Sequence, residues 1–190
     1  MPLDLPDGDR CFIDANIFCY HFVETPPFSE PCTTFLERAA SGTIEAFTLL
    51  HVLSEVVHKV MVAEAGLKLG HPRAGLVNWL QHNRHRISEL SQFRQAADEL
   101  AAMGLQVLPA GPSDLVDASV LSGRLGLLTN DALIVTLLRR ESLSNLITND
   151  DDFDGIAGLT VWKPRGAWRL HPVSIHRIHP IPPPQPPLTQ

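Results

Sequence analysis

The stretch LLTNDALIVTLLRRESLSNLITNDDDFD, residues 127–154, decides how this chain is read. It divides into a short turn, a helix starting near Asp131, and a buried strand from Asn145 to Thr148. A short apolar run closed by polar residues is the pattern of a strand covered on both faces. That strand empties into Asp150, Asp151, Asp152 and Asp154. Carboxylates are thus delivered twice, once at a helix start and once past a strand end.

Upstream, the same alternation recurs. Arg10 to Asp14 reads as a buried strand with Asp14 at its carboxyl end, and Ala15-Asn16-Ile17-Phe18 opens a helical stretch. A helix over Ser29 to Ala40 is expected, with Ser29 as N-cap and Gly42 as stop. Ile44 to Thr48 is a second strand. From Leu49, residues Val52, Leu53, Val56, Val57, Val60 and Met61 make one broad apolar helical face. Further helices are expected over Pro72 to Leu80, from a cap at Ser88 to Gly104, and from Pro112 to before Gly126. Leu105 to Leu108 and Leu159 to Trp162 complete the strands.

Short apolar strands separated by helices indicate an α/β fold, a three-layer α/β/α sandwich around a mostly parallel, Rossmann-like sheet. No internal repeat or second core is evident. The expected domain covers residues 1–165. Residues 166–190 are expected to form a basic, proline-rich tail, extended and polyproline-like or partly disordered.

The 190 residues are 44% hydrophobic and 19% charged, an ordinary balance for one globular domain. No apolar run approaches the roughly 18 residues a membrane span needs, and the acidic, proline-containing start does not resemble a signal peptide. A cytoplasmic protein without membrane contact is expected. Cys11, Cys19 and Cys32 form no C-x-x-C pair, so they read as reduced, half-buried small hydrophobes. Net charge is −6, but it is uneven. Residues 155–190 hold Lys163, Arg165, Arg169 and Arg177 and no acid, leaving 11 basic against 21 acidic residues in the remainder.

Four acids stand out: Asp14, Glu55, Asp131 and Asp150. Each alone has a plain structural explanation. Asp14 could cap a helix, Asp131 could favour a helix N-terminus, and Asp150 could belong to a solvated turn. Glu55 sits about 60° beyond Val52, on the border of the apolar face, where it could either face a crevice or pair with Lys59 at i,i+4. In open α/β sheets, sites form at the carboxyl ends of strands, where Asp14 and Asp150 both fall. Acids sharing a pocket repel, and a hard divalent cation relieves that cost. Such a site suits phosphodiester hydrolysis. Asn16, two residues after Asp14, and Thr148, two before Asp150, could orient a ligand. Ser54 lies about 100° around the helix from the site face and is a weaker candidate.

FIDANIF (Phe12–Phe18), LSEVVHKV (Leu53–Val60), LLTNDALIV (Leu127–Val135) and LITNDDDF (Leu146–Phe153) resemble the four acidic blocks of the PIN-domain family. These are metal-dependent ribonucleases that include the VapC toxins of toxin–antitoxin pairs. Order and spacing agree over residues 10 to about 163. The resemblance implies Asp14, Glu55, Asp131 and Asp150 as catalytic acids, with Asp14, Asp131 and Asp150 holding Mg²⁺ or Mn²⁺. Asp152 is the second choice for the fourth acid, and Asp151 fills a position where the family demands none. RNA as substrate, a small antitoxin partner and a homodimer are also implied. A housekeeping RNA-processing nuclease, or a non-catalytic PIN-like binding module, is the alternative.

Arg73, Arg84 and Arg86 could rim the acidic pocket and contact RNA phosphates, or simply form a solvated connection between helices. His171, His176 and His179 lack metal-ligand spacing. Two other strand-end aspartate chemistries fit less well. A haloacid-dehalogenase-like phosphatase needs D-x-D, where this chain has Asn16. A receiver domain needs an aspartate after its third strand, where this chain has Leu108-Pro109-Ala110.

Overall fold

The computed structural model describes residues 3–72 and 74–165. Five strands form one sheet: Arg10–Ile13 (β1), Glu45–Leu49 (β2), Gln106–Leu108 (β3), Asn145–Ile147 (β4) and Thr160–Trp162 (β5). Every pairing is parallel and the order is β3-β2-β1-β4-β5. β1 is central, which is why Cys11, Phe12 and Ile13 are all buried: both faces of this strand are covered. In register, Phe12 lies between Phe47 of β2 and Leu146 of β4.

The helices are Ala15–Phe22 (α1), Ser29–Ala40 (α2), Leu50–Leu69 (α3), Leu76–His82 (α4), Gln92–Ala102 (α5), Pro112–Leu125 (α6) and Thr129–Arg140 (α7). α1, α2, α3 and α5 pack on one another, and α6 packs on α7. The connections from β1 to β3 step one way along the sheet, and those from β3 to β5 step back the other way. Right-handed crossovers therefore send the two helix groups to opposite faces. The α/β/α sandwich expected from the sequence is the structure observed.

The core is continuous through the sheet. Phe12, Phe18, Phe22, Phe35 and Phe153 are almost fully buried, each worth roughly 1.5–3 kcal/mol over exposure. A satellite cluster of Ala65, Leu76, Leu80 and Leu90 lies beside it, with Phe93 packing against both. The satellite clusters around residues 61–93, a segment for which the sequence pattern had suggested no separate packing centre.

Several boundaries move from their expected places, each for a local reason. Ser29 is the first residue of α2 rather than its cap, and its Oγ accepts from the Thr25 amide. The helix expected from Pro72 begins only at Leu76, after Gly75 at φ 76°. Residues Arg84–Glu89 form a 3-10 turn, so α5 starts at Gln92 instead of near Ser88. Its exposed amides are met from elsewhere: buried Glu64 of α3 accepts from the amides of Ser91, Gln92 and Phe93. α6 begins with Pro112 at its first position, and Asp114 accepts from the Gly111 amide at 2.7 Å. It ends at Gly126, whose φ of 73° turns the chain into α7.

Among the described residues no single helix is long and apolar enough to cross a membrane. α6 and α7 pass such a test only as a pair bent by 110°. Cys11, Cys19 and Cys32 are free thiols, the first and last buried, as their apolar settings suggested.

Candidate functional site

Strand order reverses between β1 and β4, because β2 continues the sheet on one side of β1 and β4 on the other. Crossovers leave such a point toward opposite faces and open a crevice beyond the carboxyl ends of the strands. Asp14 follows β1 directly, and Thr148, Asn149 and Asp150 follow β4. A cleft of about 520 Å³ opens there. Its walls include Asp14, Glu55, Asp131, Asp150, Asp151 and Asp152.

Asp14 is the most constrained of these acids. Its Oδ1 accepts from the Ala15 amide at 2.7 Å, so it does cap α1. Its Oδ2 accepts from Asn16 Nδ2 at 2.7 Å and from Thr148 Oγ1 at 2.8 Å. Capping and site membership are therefore one arrangement rather than alternatives. The Asp14 amide also donates to the Ile147 carbonyl, which fixes the residue against β4.

Thr148 is fully buried and serves as a junction. Its Oγ1 receives Asn16 Nδ2 at 2.8 Å and the Asp150 amide at 3.1 Å. Asn16 Oδ1 in turn accepts from the Asn149 amide, and Asn149 Nδ2 donates to the Tyr20 hydroxyl. The residues expected to support the acids thus lock the end of β1 to the end of β4.

The other acids reach the cleft from helices and a turn. Asp131 lies in the first turn of α7, which begins two residues earlier than the sequence pattern suggests. Asp150 precedes a 3-10 turn, Asp151–Phe153, and its Oδ1 accepts from the Asp152 amide at 3.0 Å. Asp151, also at the cleft wall, is held by Lys163, which bonds Asp154 as well. Glu55 lines the cleft and pairs with Lys59 at 2.6 Å, so both of its expected roles are present at once.

Crowding of like charges in a partly dry pocket shows in the titration of the acids. Burial, and then Asp150, Asp14, Asp152 and Glu55, push the Asp131 carboxyl up to about 6. Burial also raises Asp14, opposed by its bonds to Thr148 and Ala15 and assisted by Glu55 and Asp150. His51, on the wall of the cleft, is lowered by burial despite the nearby Glu55 and Asp14.

Among the described residues, no three His, Cys, Asp or Glu side chains are grouped closely enough to hold a metal ion outright. The donor set is nonetheless of one kind, carboxylate and amide oxygen, which suits a hard divalent cation and not a soft one. Three of the roughly four acceptor positions of Asp14 are used, leaving it room for one more partner. Asp131 and Asp14 are raised first by burial and then by the neighbouring acids. These residues fit a hydrated cation held by one or two carboxylates, the usual Mg²⁺ arrangement, rather than a closed protein cage.

Of the basic residues singled out in the sequence, Arg84 and Arg86 lie on the 3-10 turn after α4 and do not line the cleft. Arg84 Nε donates to the Gln81 carbonyl, and Arg86 lies 2.9 Å from Glu89. Arg73 and the tail from residue 166 lie outside the described residues. Five polar lining residues had no place in the sequence reading of the site: Tyr20, His51, Asn130, Asn149 and Lys59, the last noted only as a surface partner of Glu55. His51 and Lys59 were findable, since they sit four residues either side of Glu55 on one helix face. Tyr20 and Asn149 carried no such signal.

The family model for the PIN domain matches residues 11–159. No curated protein matches the chain. Among solved structures, a toxin–antitoxin complex from Klebsiella pneumoniae is 19% identical, with 79% of this chain and 95% of that chain covered, at a TM-score of 0.45. VapBC2 from Rickettsia felis, bound to a DNA fragment from its promoter, is 17% identical over 81% of this chain and 98% of that one, at a TM-score of 0.49. Neither likeness bears on residues or activity.

Proposed function

This chain belongs to the PIN domain family, whose members are nucleases, and on that premise we propose that it is a divalent-metal-dependent endoribonuclease, the toxin of a toxin–antitoxin pair. The observation that carries the reading is the cleft at the β1/β4 reversal, where Asp14, Glu55, Asp131 and Asp150 share one wall system. Burial, and then the neighbouring Asp150, Asp14, Asp152 and Glu55, raise Asp131 to about 6, a cost that a divalent cation among these acids would relieve.

In this proposal Mg²⁺ or Mn²⁺ would be held among Asp14, Asp131 and Asp150, by one or two of them directly and by the others through its waters, and when bound would neutralise phosphate charge and activate water. The protein's own work is placement. Asn16 and Thr148 hold the Asp14 carboxylate in one orientation, and Thr148 also positions the backbone of Asp150. Such preorganisation means the acids need not rearrange as a phosphodiester enters. Water gives up a proton as it adds at phosphorus, the bond from phosphorus to the leaving oxygen breaks, and the departing oxygen takes up a proton in return. Glu55, at the cleft wall, is placed to orient that water. Asp152 is the reserve ligand beside Asp150.

The toxin assignment rests on the resemblance of the four acidic blocks to those of VapC toxins. It brings with it a small antitoxin partner, a homodimer and a cytoplasmic setting. A non-catalytic binding module is the second reading, favoured by the absence of a tight metal-type cluster among the described residues. Turnover of RNA with Mg²⁺ or Mn²⁺ by the wild type and Asp14→Asn separates the two. Loss of turnover in the variant, with its fold intact, is expected; equal turnover in both would sink the metal-nuclease mechanism. Toxicity on expression, relieved by the product of an adjacent gene, tests the toxin role.

A further inference from the structure

The cleft has an electrostatic difficulty as an RNA site. Six carboxylates line it, and a phosphodiester carries the same sign of charge. Among the described residues that line it, Lys59 is the one fixed cation; His51 is the other basic side chain, and burial disfavours its charged form.

Lys59 is not there by chance of a long side chain. His51, Glu55 and Lys59 are spaced by four along α3, and each such step rotates by only about 40° around the helix. The three side chains therefore form a stripe, and all three line the cleft. The neighbouring stripe of the same helix, about 100° around, carries Val52, Val56 and Val60, buried in the core, which holds the rotation of α3 and fixes the polar stripe toward the acids.

Lys59 Nζ lies 2.6 Å from Glu55 Oε1, with half of the lysine side chain and 41% of the glutamate exposed. Burial works against its charge, but the bond to Glu55 and the fields of Glu55 and Asp14 raise its pKa on balance. It stays an ammonium. An exposed i,i+4 pair is weak, so exchanging one carboxylate for a phosphate oxygen costs little. A compact ammonium on a flexible stem is suited to such an exchange.

We propose that Lys59 is the phosphate-binding cation of the cleft, held on Glu55 in the free protein and transferred to an RNA phosphate when substrate enters. The same movement frees Glu55 Oε1 for its place beside the reacting water. The proposal rests on the ribonuclease reading above and assigns within it the protein's own cation that, beside the metal, receives an RNA phosphate in an acidic cleft.

The test measures binding and turnover separately on the full chain. Fluorescence anisotropy of a labelled, mixed-sequence single-stranded RNA in calcium-containing buffer gives Kd across a range of KCl. Cleavage of the same RNA in Mn²⁺ gives kcat and KM. For Lys59→Met the expected result is a Kd and KM raised about tenfold, with log Kd against log salt shallower by about 0.7, one phosphate contact on a single strand. The kcat at saturating RNA stays within a few-fold, and Lys59→Arg restores both binding and slope.

If Lys59 merely orients Glu55, Lys59→Met lowers kcat and leaves Kd and the salt slope unchanged, and the proposal is overturned. A wild type that binds RNA without cleaving it removes the nuclease reading, while the binding arm still decides Lys59. A wild type that binds no RNA removes both.

Discussion

Thr148 Oγ1 donates to Asp14 Oδ2 at 2.8 Å, joining two residues 134 positions apart in the chain. The bond exists because β1 and β4 are neighbours, paired from Cys11 with Asn145 to Ile13 with Ile147. It continues that ladder by one rung into side chains. The same hydroxyl receives Asn16 and the Asp150 amide, so one buried atom sets the positions of two of the acids.

Replacing Thr148 by valine keeps its shape and removes this junction. The half-buried Asp14 carboxylate and Asn16 amide each lose a partner, at an expected stability cost of about 1–3 kcal/mol. Divalent-ion affinity, read by titration calorimetry, should fall about 10–100-fold, the usual effect of losing a group that orients a ligand. A variant with wild-type metal affinity would show that Thr148 serves the fold alone.

Asp131 makes stability depend on pH in a definite direction. Its folded pKa is about 6, above the ordinary carboxylate value, so between about 4 and 6 the folded state holds more protons than the unfolded one. Stability contributed by the protonated form is present below about 4 and is lost as pH rises through 6. The raised Asp14 acts in the same sense. In EDTA, Asp131→Asn should therefore have a higher Tm than wild type at pH 7.5 and a nearly equal Tm at pH 4, while losing RNA turnover. A Tm difference that is independent of pH would refute a raised Asp131 carboxyl.

Asp150 and Asp152 compete for one role, and their surroundings differ. Asp150 is half-buried and oriented by its bond to the Asp152 amide, whereas Asp152 is exposed. Asp150→Asn is expected to lower kcat by at least about 100-fold, the scale of removing a preorganised charge-stabilising group. Asp152→Asn should lower it by no more than a few-fold. The reverse ranking would move the fourth ligand to Asp152.

Glu64 lies outside the cleft and supplies a control on stability. It is buried, and it accepts three amides at the start of α5. Glu64→Ala leaves those donors unmet, so a loss of about 2–4 kcal/mol is expected in denaturant unfolding, combining a lost cap with buried unpaired amides. Turnover per folded molecule should not change. A change in kcat without a change in stability would contradict this assignment.

Much of this architecture is local in origin and therefore legible. Cys11-Phe12-Ile13 and Leu146-Ile147 are short apolar runs that only a strand buried on both faces accommodates. The spacing of Val52, Val56 and Val60 predicts α3 and its buried face. Placing Asp14 and Asp150 just past strand ends follows from those same short patterns. Boundaries were harder where a distant group supplies the cap, as Glu64 does for α5 across 27 residues.

By itself, then, the sequence determined the α/β/α class, the strands and helices, and four acids at positions where such folds build sites. These follow from periodicity and turn chemistry, which act over a few residues. Only the tertiary structure decided which side chains share the cleft: that Thr148 and Asn16 grip Asp14, that Lys59 and His51 face the acids, and that Arg84 and Arg86 stand apart from them. Those contacts depend on the sheet order β3-β2-β1-β4-β5, in which β4 arrives beside β1 after more than a hundred intervening residues. Strand order is set by packing over the whole domain, and no local pattern in the chain encodes it.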